Sequence, residues 1–337
     1  MVGQPKYGVL LANTGTPSAP RPRAVRKYLS RFLMEKRIVP MNRALWWPIL
    51  HFFILPSRGR ASAQKYAAVW TDEGSPLLVA HDRLANGLQR SFEESGLDDI
   101  AVAYGMSFGE PSIDAALLEL RRAGCEKLLV LPLYPQSTYS TTGVVYDHVE
   151  RCLDKLKWDV ECHLIDNYHD DPTYVKAIAA SLSHAGFGTG PDDRVVFSYH
   201  SIPLKDIEAG DTYELQCGAS SLQIASELGL GRKQWTIGYQ CVFDKGRQWL
   251  SPYTQDVLDR WAEAGAGRVF VVCPGFAVDC LETLYDVTEE MQHYYLVACS
   301  ALGAPAREED FVYVPCLDKS KAHLKVLRAI LDPYLEG

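Results

Sequence analysis

Two places along the chain bring together residue types that can do acid–base or metal chemistry. His200 closes an apolar run at 195–200 and is followed by Ser201, Ile202 and Pro203. An imidazole at a strand end can act as a base near neutral pH or as a metal ligand; the plain alternative is a half-buried structural histidine. The second place follows the apolar run 269–274 and reads Asp279-Cys280-Leu281-Glu282-Thr283-Leu284-Tyr285-Asp286, continuing to Glu289 and Glu290. On a helix, Glu282, Asp286 and Glu290 fall at i, i+4 and i+8, one row with steps of about 6 Å. Like charges so spaced repel by roughly a few tenths of a kcal/mol, and such a row is usually a solvated face. This one would begin at a helix N-terminus, where the dipole favours carboxylates, so it can also pass protons or guide a divalent cation.

Two further segments bear on binding. The run 134–143, Tyr-Pro-Gln-Ser-Thr-Tyr-Ser-Thr-Thr-Gly, is rich in hydroxyls but matches neither glycine-rich phosphate pattern. It reads as the start of a helix capped by Ser140, Thr141 or Thr142, with Tyr134 and Gln136 near a cleft. Leu29, Phe32 and Leu33, then 45–48 and 52–55, gather large apolar side chains early in the chain. They read as core, or as an exposed lip suited to a flat apolar ligand or a membrane surface. No nucleophile signature of the Gly-x-Ser-x-Gly kind is present.

These residues need a scaffold, and the apolar pattern supplies one. Strand-like runs lie at 7–12, 102–107, 127–134, 162–167, 195–200, 235–239, 269–274 and 311–314. Helical patterns separate them at 23–34, 61–69, 78–95, 113–123, 144–157, 173–185, 213–228, 254–264, 281–298 and 321–335. Alternation of this kind predicts α/β architecture with two similar doubly wound domains, each a four-stranded parallel sheet flanked by helices. The break is expected at 166–172. In such sheets ligands sit at the carboxyl ends of strands, which directs attention to 13–17, 134–136, 200–203, 240–241 and 275–282.

Composition narrows the function classes. The chain has 337 residues, 34 Lys and Arg against 42 Asp and Glu, a net charge of −8, and 47% apolar residues. That is an ordinary globular balance, and at this length two domains of roughly 150 residues are expected. The acidic balance and the absence of a Lys/Arg block argue against a nucleic-acid partner. Nine scattered cysteines, none in Cys-x-x-Cys, read as reduced thiols of a cytoplasmic protein with no metal cluster. Residues 1–6 do not resemble a signal peptide, and the longest apolar stretch, 44–55, is too short to span a bilayer.

Taken in order, the blocks resemble the ferrochelatases, which insert ferrous iron into porphyrin. The resemblance rests on Asn13-Thr14-Gly15-Thr16-Pro17, Leu133-Tyr134-Pro135-Gln136 with Ser140-Thr141-Thr142-Gly143, Ser198-Tyr199-His200-Ser201-Ile202-Pro203 with Gly210, Asp211 and Tyr213, and Cys273-Pro274-Gly275-Phe276-Ala277 with Asp279-Cys280-Leu281-Glu282-Thr283-Leu284. It implies a chelatase-like fold, with an N-terminal domain 1–168 bearing the apolar lip. A second domain, 169–316, would carry the catalytic pair, and a C-terminal helix, 317–337, would pack back on the first. It implies His200 and Glu282 as the catalytic and metal-binding pair, with Asp286 and Glu290 as a proton or metal path. It implies porphyrin contacts at Asn13, Leu29, Phe32, Leu33, Arg58, Tyr66, Ser75, Tyr134, Trp249 and Phe276.

Asn13 and the Tyr-Pro-Gln variant resemble the proteobacterial type that uses protoporphyrin IX; coproporphyrin-using relatives commonly have Tyr in place of Asn13. Iron is then a substrate, no cofactor or iron–sulfur cluster is expected, and the lip is a candidate for peripheral membrane contact. Two segments depart from the family. Cys241-Val242 replaces Ser-Lys or Ser-Arg, which leaves Lys245 or Arg247 to supply a basic group, and Thr254-Gln255-Asp256 replaces Thr-Asp-Glu. The rival readings are a cobalt-inserting chelatase, a coproporphyrin enzyme and a porphyrin carrier without turnover; a doubly wound oxidoreductase lacks its glycine fingerprint here.

Overall fold

The computed structural model describes residues 6–190, 192–242, 244, 246–265, 267–303 and 307–335. The chain divides into two compact units, one running to Asn167 and resuming at Leu327, the other spanning Tyr168–Val326. The first holds strands β1 (Tyr7–Asn13), β2 (Ile100–Met106), β3 (Lys127–Pro132) and β4 (Glu161–Leu164) in the order β2-β1-β3-β4. The second holds β5 (Arg194–His200), β6 (Trp235–Gln240), β7 (Val269–Val272) and β8 (Phe311–Val314) in the order β6-β5-β7-β8. All six strand pairs are parallel, so both units repeat one topology.

The reason lies in the strands themselves. Every residue of β1 is buried, and a strand apolar on both faces can only sit between helical layers. In the first unit Leu10 and Val130 of the sheet meet Leu117 of the helix Ile113–Ala123 and Val145 and Val149 of the helix Thr142–Leu156, all at 0% exposure. In the second, Val196 and Val271 meet Leu258, Tyr295 and Phe311. Each such side chain contributes about 1.5–3 kcal/mol by leaving water. Local signals set the helix ends. Asp171 accepts from the amides of Thr173 and Tyr174 at 2.8 and 2.9 Å ahead of Pro172–His184. Gly124, at φ +89°, closes Ile113–Ala123 in the left-handed region.

Three features differ from the sequence expectation. First, residues 43–69 form one helical run, Arg43–Ile49, a π-turn at Leu50–Ile54, and Leu55–Val69, despite Pro48 and Pro56. Pro56 follows directly on the π-turn, where the hydrogen-bond register of the run changes. Second, the helix expected over 281–298 is broken into Leu281–Leu284, a π-turn at Asp286–Met291, and Gln292–Ala301. Third, the boundary expected at 316/317 falls instead at 326/327, inside the helix Lys321–Leu335.

Candidate active site

Within the second unit, His200 ends β5 as the register partner of Gln240 at the end of β6. The ring is half-buried, and its Nδ1 lies 2.6 Å from the carbonyl oxygen of Ser201. A carbonyl can only accept, so Nδ1 carries a proton, and in the neutral ring the lone pair is the one on Nε2. The loop after His200 is pinned. The Ser201 amide donates to the Gln240 carbonyl at 2.8 Å, the Ser201 hydroxyl to the Leu250 carbonyl at 2.9 Å, and the Leu250 amide to the Ile202 carbonyl at 3.0 Å.

Glu282 sits in the second position of the short helix after β7, the strand next to β5 on the side opposite β6. Its loop is held by Asp279, which is buried. Asp279 Oδ1 accepts from the Thr283 hydroxyl at 2.9 Å, from the Tyr313 hydroxyl, and from the Cys316 amide at 3.4 Å. The Cys280 amide in turn donates to Thr283 Oγ1 at 2.9 Å. Behind Glu282 the π-turn is defined by the Glu290 amide reaching the Tyr285 carbonyl at 3.2 Å, five residues back. The acidic row therefore does not climb an even α-helix with equal steps, as the spacing suggested; it passes through a wider turn. Glu282 and Asp286 are half-buried and Glu290 is exposed, so the row leads outward to solvent.

Cys241, the departure from the family pattern, belongs to this row. Its backbone takes φ +62°, in the left-handed region, and its thiol lies 3.4 Å from Asp286 Oδ2. Burial, followed by the charges of Asp286 and Glu282, pushes the thiol well above its ordinary range, so the sulfur stays protonated and donates to the carboxylate. Arg247 does not stand as a lone pocket cation. It pairs with Asp244 at 2.7 Å and lies 4.8 Å from the ring of Trp249. Lys245 lies outside the described residues. Trp249 is buried, with its indole N–H on the Asp244 carbonyl at 2.9 Å, and Phe276 is half-buried against the helical core.

Within the first unit, the loop after β1 gathers three of the expected contacts. The amide of Thr14 donates to Asn13 Oδ1 at 2.7 Å, the Thr14 hydroxyl meets the Tyr134 hydroxyl, and Ser75 Oγ donates to Thr16 Oγ1 at 2.9 Å. Gly15, at φ +97°, makes this packing possible: a Cβ there would stand 2.9 Å from the Gly109 amide nitrogen. Thr141 occupies the N-cap position of the next helix but makes no side-chain cap. Thr138 Oγ1 accepts the Ser140 and Thr141 amides instead, both at 3.1 Å.

The expected lip separates into two kinds of residue. Leu29 and Phe32 are half-buried, and Phe32 meets Phe108 edge-on at 5.3 Å. Leu33 is 1% exposed, so it is core and cannot line a surface, which corrects the sequence expectation. Arg58 and Tyr66 share the helix Leu55–Val69, Arg58 half-exposed and Tyr66 buried beside Trp70. Open apolar surface lies further on, where Leu45, Trp47, Phe52 and Phe53 are 47–74% exposed around the π-turn. Composition missed the charge around it. Residues 14–71 contain eleven Lys and Arg and one acidic residue, Glu35, in a chain of net −8. Among the described residues no helix is long and apolar enough to cross a membrane, and no three His, Cys, Asp or Glu gather as a ready-made metal site.

The family model described as Ferrochelatase matches residues 6–334. The ferrochelatase of Nitrosococcus oceani is 40% identical over 332 residues, covering 98% of this chain and 88% of that protein. That of Aromatoleum aromaticum is 41% identical over 98% of this chain and 90% of its own length, and that of Photobacterium profundum 38% identical over 98% of both. Among solved structures, SirB from Bacillus subtilis with Fe3+ superposes with a TM-score of 0.56 at 11% identity, covering 98% of each chain. The likeness to SirB shows a shared fold alone.

Proposed function

This chain belongs to the ferrochelatase family, and from that membership we propose that it inserts ferrous iron into protoporphyrin IX with His200 and Glu282 as the reacting pair. The reaction class follows from the family: a metal-inserting lyase of haem synthesis. The observation that carries the residue assignment is the His200–Ser201 bond. It selects the tautomer of the neutral ring whose lone pair is on Nε2, the tautomer that can accept a proton or bind Fe2+ through that nitrogen.

Insertion expels two pyrrole protons as one Fe2+ enters. In this reading His200 Nε2 accepts the two pyrrole protons one at a time, losing the first to solvent before taking the second, while Glu282, Asp286 and Glu290 carry protons or metal between the ring and solvent. Distorting the flat ring exposes its lone pairs, and contacts remote from the pyrroles offset that cost. We assign those contacts to Asn13, Leu29, Phe32, Arg58, Tyr66, Ser75, Tyr134, Trp249 and Phe276. Iron is substrate, and no iron–sulfur cluster is assigned because the cysteines are dispersed in sequence. The ring preference rests on Asn13 and on Tyr134-Pro135-Gln136. Anaerobic insertion into protoporphyrin IX and coproporphyrin III, run in parallel, tests it. Faster turnover of coproporphyrin would keep the reaction class and overturn the substrate.

We also propose a cytoplasmic protein that touches membranes peripherally. All nine cysteines are free thiols, which suits a reducing compartment. The exposed Trp47, Phe52 and Phe53, set in the strongly basic segment 14–71, suit an anionic lipid surface.

A further inference from the structure

Gln240 ends β6 beside His200, and the insertion chemistry makes no direct use of its side chain. It is 3% exposed, and its polar groups are committed. Its main-chain carbonyl accepts the Ser201 amide at 2.8 Å, which fixes the same residue whose carbonyl orients His200. Its side-chain Nε2 donates to the main-chain carbonyl of Glu282 at 3.2 Å. Its Oε1 accepts from the Ser198 hydroxyl at 2.6 Å, with Cys273 Sγ 4.0 Å from the same oxygen.

Proton counting fixes the direction of this chain. Ser198 has one hydroxyl proton and gives it to Gln240, so Thr254, 2.7 Å from Ser198, must be the donor in that contact. The order is Thr254 to Ser198 to Gln240 to Glu282, and only one orientation of the amide satisfies it. Gly238 lets Thr254 come this close, since a Cβ there would stand 2.8 Å from the Thr254 Cα.

We infer that Gln240 is a positioning residue for metal insertion. It ties the main chain of Glu282 and the loop orienting His200 to one strand end, and so sets the two reacting groups relative to each other. The inference rests on the reading of His200 and Glu282 as the reacting pair. The amide is chemically required. A carboxylate would set one acceptor against another beside an acidic row, and an apolar side chain of similar length would leave the Glu282 carbonyl and the Ser198 hydroxyl without this partner.

Two variants test it, read by anaerobic Fe2+ insertion and by porphyrin fluorescence. Gln240→Met is expected to lower kcat about tenfold or more while porphyrin KM and Kd stay within about twofold, because misplacement of reacting groups acts on rate. Gln240→Glu is expected to approach wild-type kcat at acid pH, where its protonated carboxyl can donate to Glu282. Relative to wild type it should lose rate as pH rises. A Gln240→Met enzyme with unchanged kcat, or a Gln240→Glu to wild-type ratio flat with pH, overturns the inference; the second readout decides if the methionine variant does not fold. His200→Ala and Glu282→Gln separate the two levels. If those lose insertion while Gln240→Met keeps it, the positioning role alone fails. If either keeps wild-type insertion, the reacting pair itself is wrong.

Discussion

The Nδ1–H of His200 is bound to the carbonyl oxygen of Ser201, its own neighbour in sequence, at 2.6 Å. A base held in one tautomer by the main chain needs no carboxylate partner, and its reactive nitrogen is set before any substrate arrives. His200→Ala should therefore lower iron insertion by about 10²–10⁴-fold, the range of a positioned acid–base group, with porphyrin affinity little changed. Stopped-flow loss of porphyrin fluorescence under Fe2+ measures the first and equilibrium titration the second. Turnover retained in this variant would remove His200 from the chemistry.

Asp286 takes the Cys241 thiol as a donor and lies one step outward from Glu282. Its replacement should act on the path rather than on the reacting atoms. Asp286→Ala is expected to slow insertion less than His200→Ala, by about tenfold at most, and to change the dependence on Fe2+ concentration. Kinetics identical to wild type across a metal titration would reduce the row to a solvated face.

Asp318 and His323 give the second unit opposing responses to pH. Burial, followed by the charge of Asp279, pushes the Asp318 carboxyl up to about 7, while the Asp279 amide on it at 2.6 Å and Lys319 oppose the shift. A raised folded value stabilises the protein at low pH, and that stability is lost as pH rises from about 4 towards 7. Burial lowers His323 to about 4, against its hydrogen bond to the Asp318 carbonyl. That stabilises the protein above about 6.5, and the stability is lost as pH falls. Between these limits the two slopes offset each other. Relative to wild type, Asp318→Asn should raise Tm near pH 7.5 and lose that advantage towards pH 5, whereas His323→Gln should compare better as pH falls. Thermal melts across pH check both; an Asp318→Asn offset constant with pH would end the assignment.

Phe53 is 74% exposed and Leu33 is 1% exposed, although both read as lip in the sequence. Phe53→Ser should leave stability nearly unchanged and reduce co-sedimentation with vesicles containing anionic lipid, more than with zwitterionic vesicles. Leu33→Ala should instead cost about 2–5 kcal/mol of stability by opening a cavity. Equal sedimentation of Phe53→Ser and wild type would leave the exposed aromatics without a membrane role.

Much of this molecule was legible because burial on both faces leaves a plain signature. The run 7–12 read as a strand, the structure buries every residue of Tyr7–Asn13 in a parallel sheet, and the strand ends pointed to His200 and to the segment leading to Glu282. The π-turns were not legible, since they change hydrogen-bond register without changing which residues are apolar. Leu33 was misread because a helix residue next to a lip looks apolar whether it faces inward or outward. Gln240 stood among the strand-end residues, but a glutamine has no spacing rule. Its role appears only once Ser198, Thr254 and the Glu282 carbonyl are in place. The basic segment 14–71 was hidden because its charges are spread singly, while the whole-chain sum is acidic.

The wide turn at Asp286–Met291 is locked in by the helix Gln292–Ala301 behind it. Tyr295 and Cys299, at 1% and 4% exposure, anchor that helix in the core beside Val287. Removing one residue from the turn would restore a regular α-helix but rotate everything downstream by about 100°, taking both anchors out of their sockets. The more regular backbone is therefore not one deletion away. Random shortening in this stretch would be selected against first as a folding defect, whatever it did to turnover, so the acidic row keeps its wide turn through the packing of two residues that never meet the substrate.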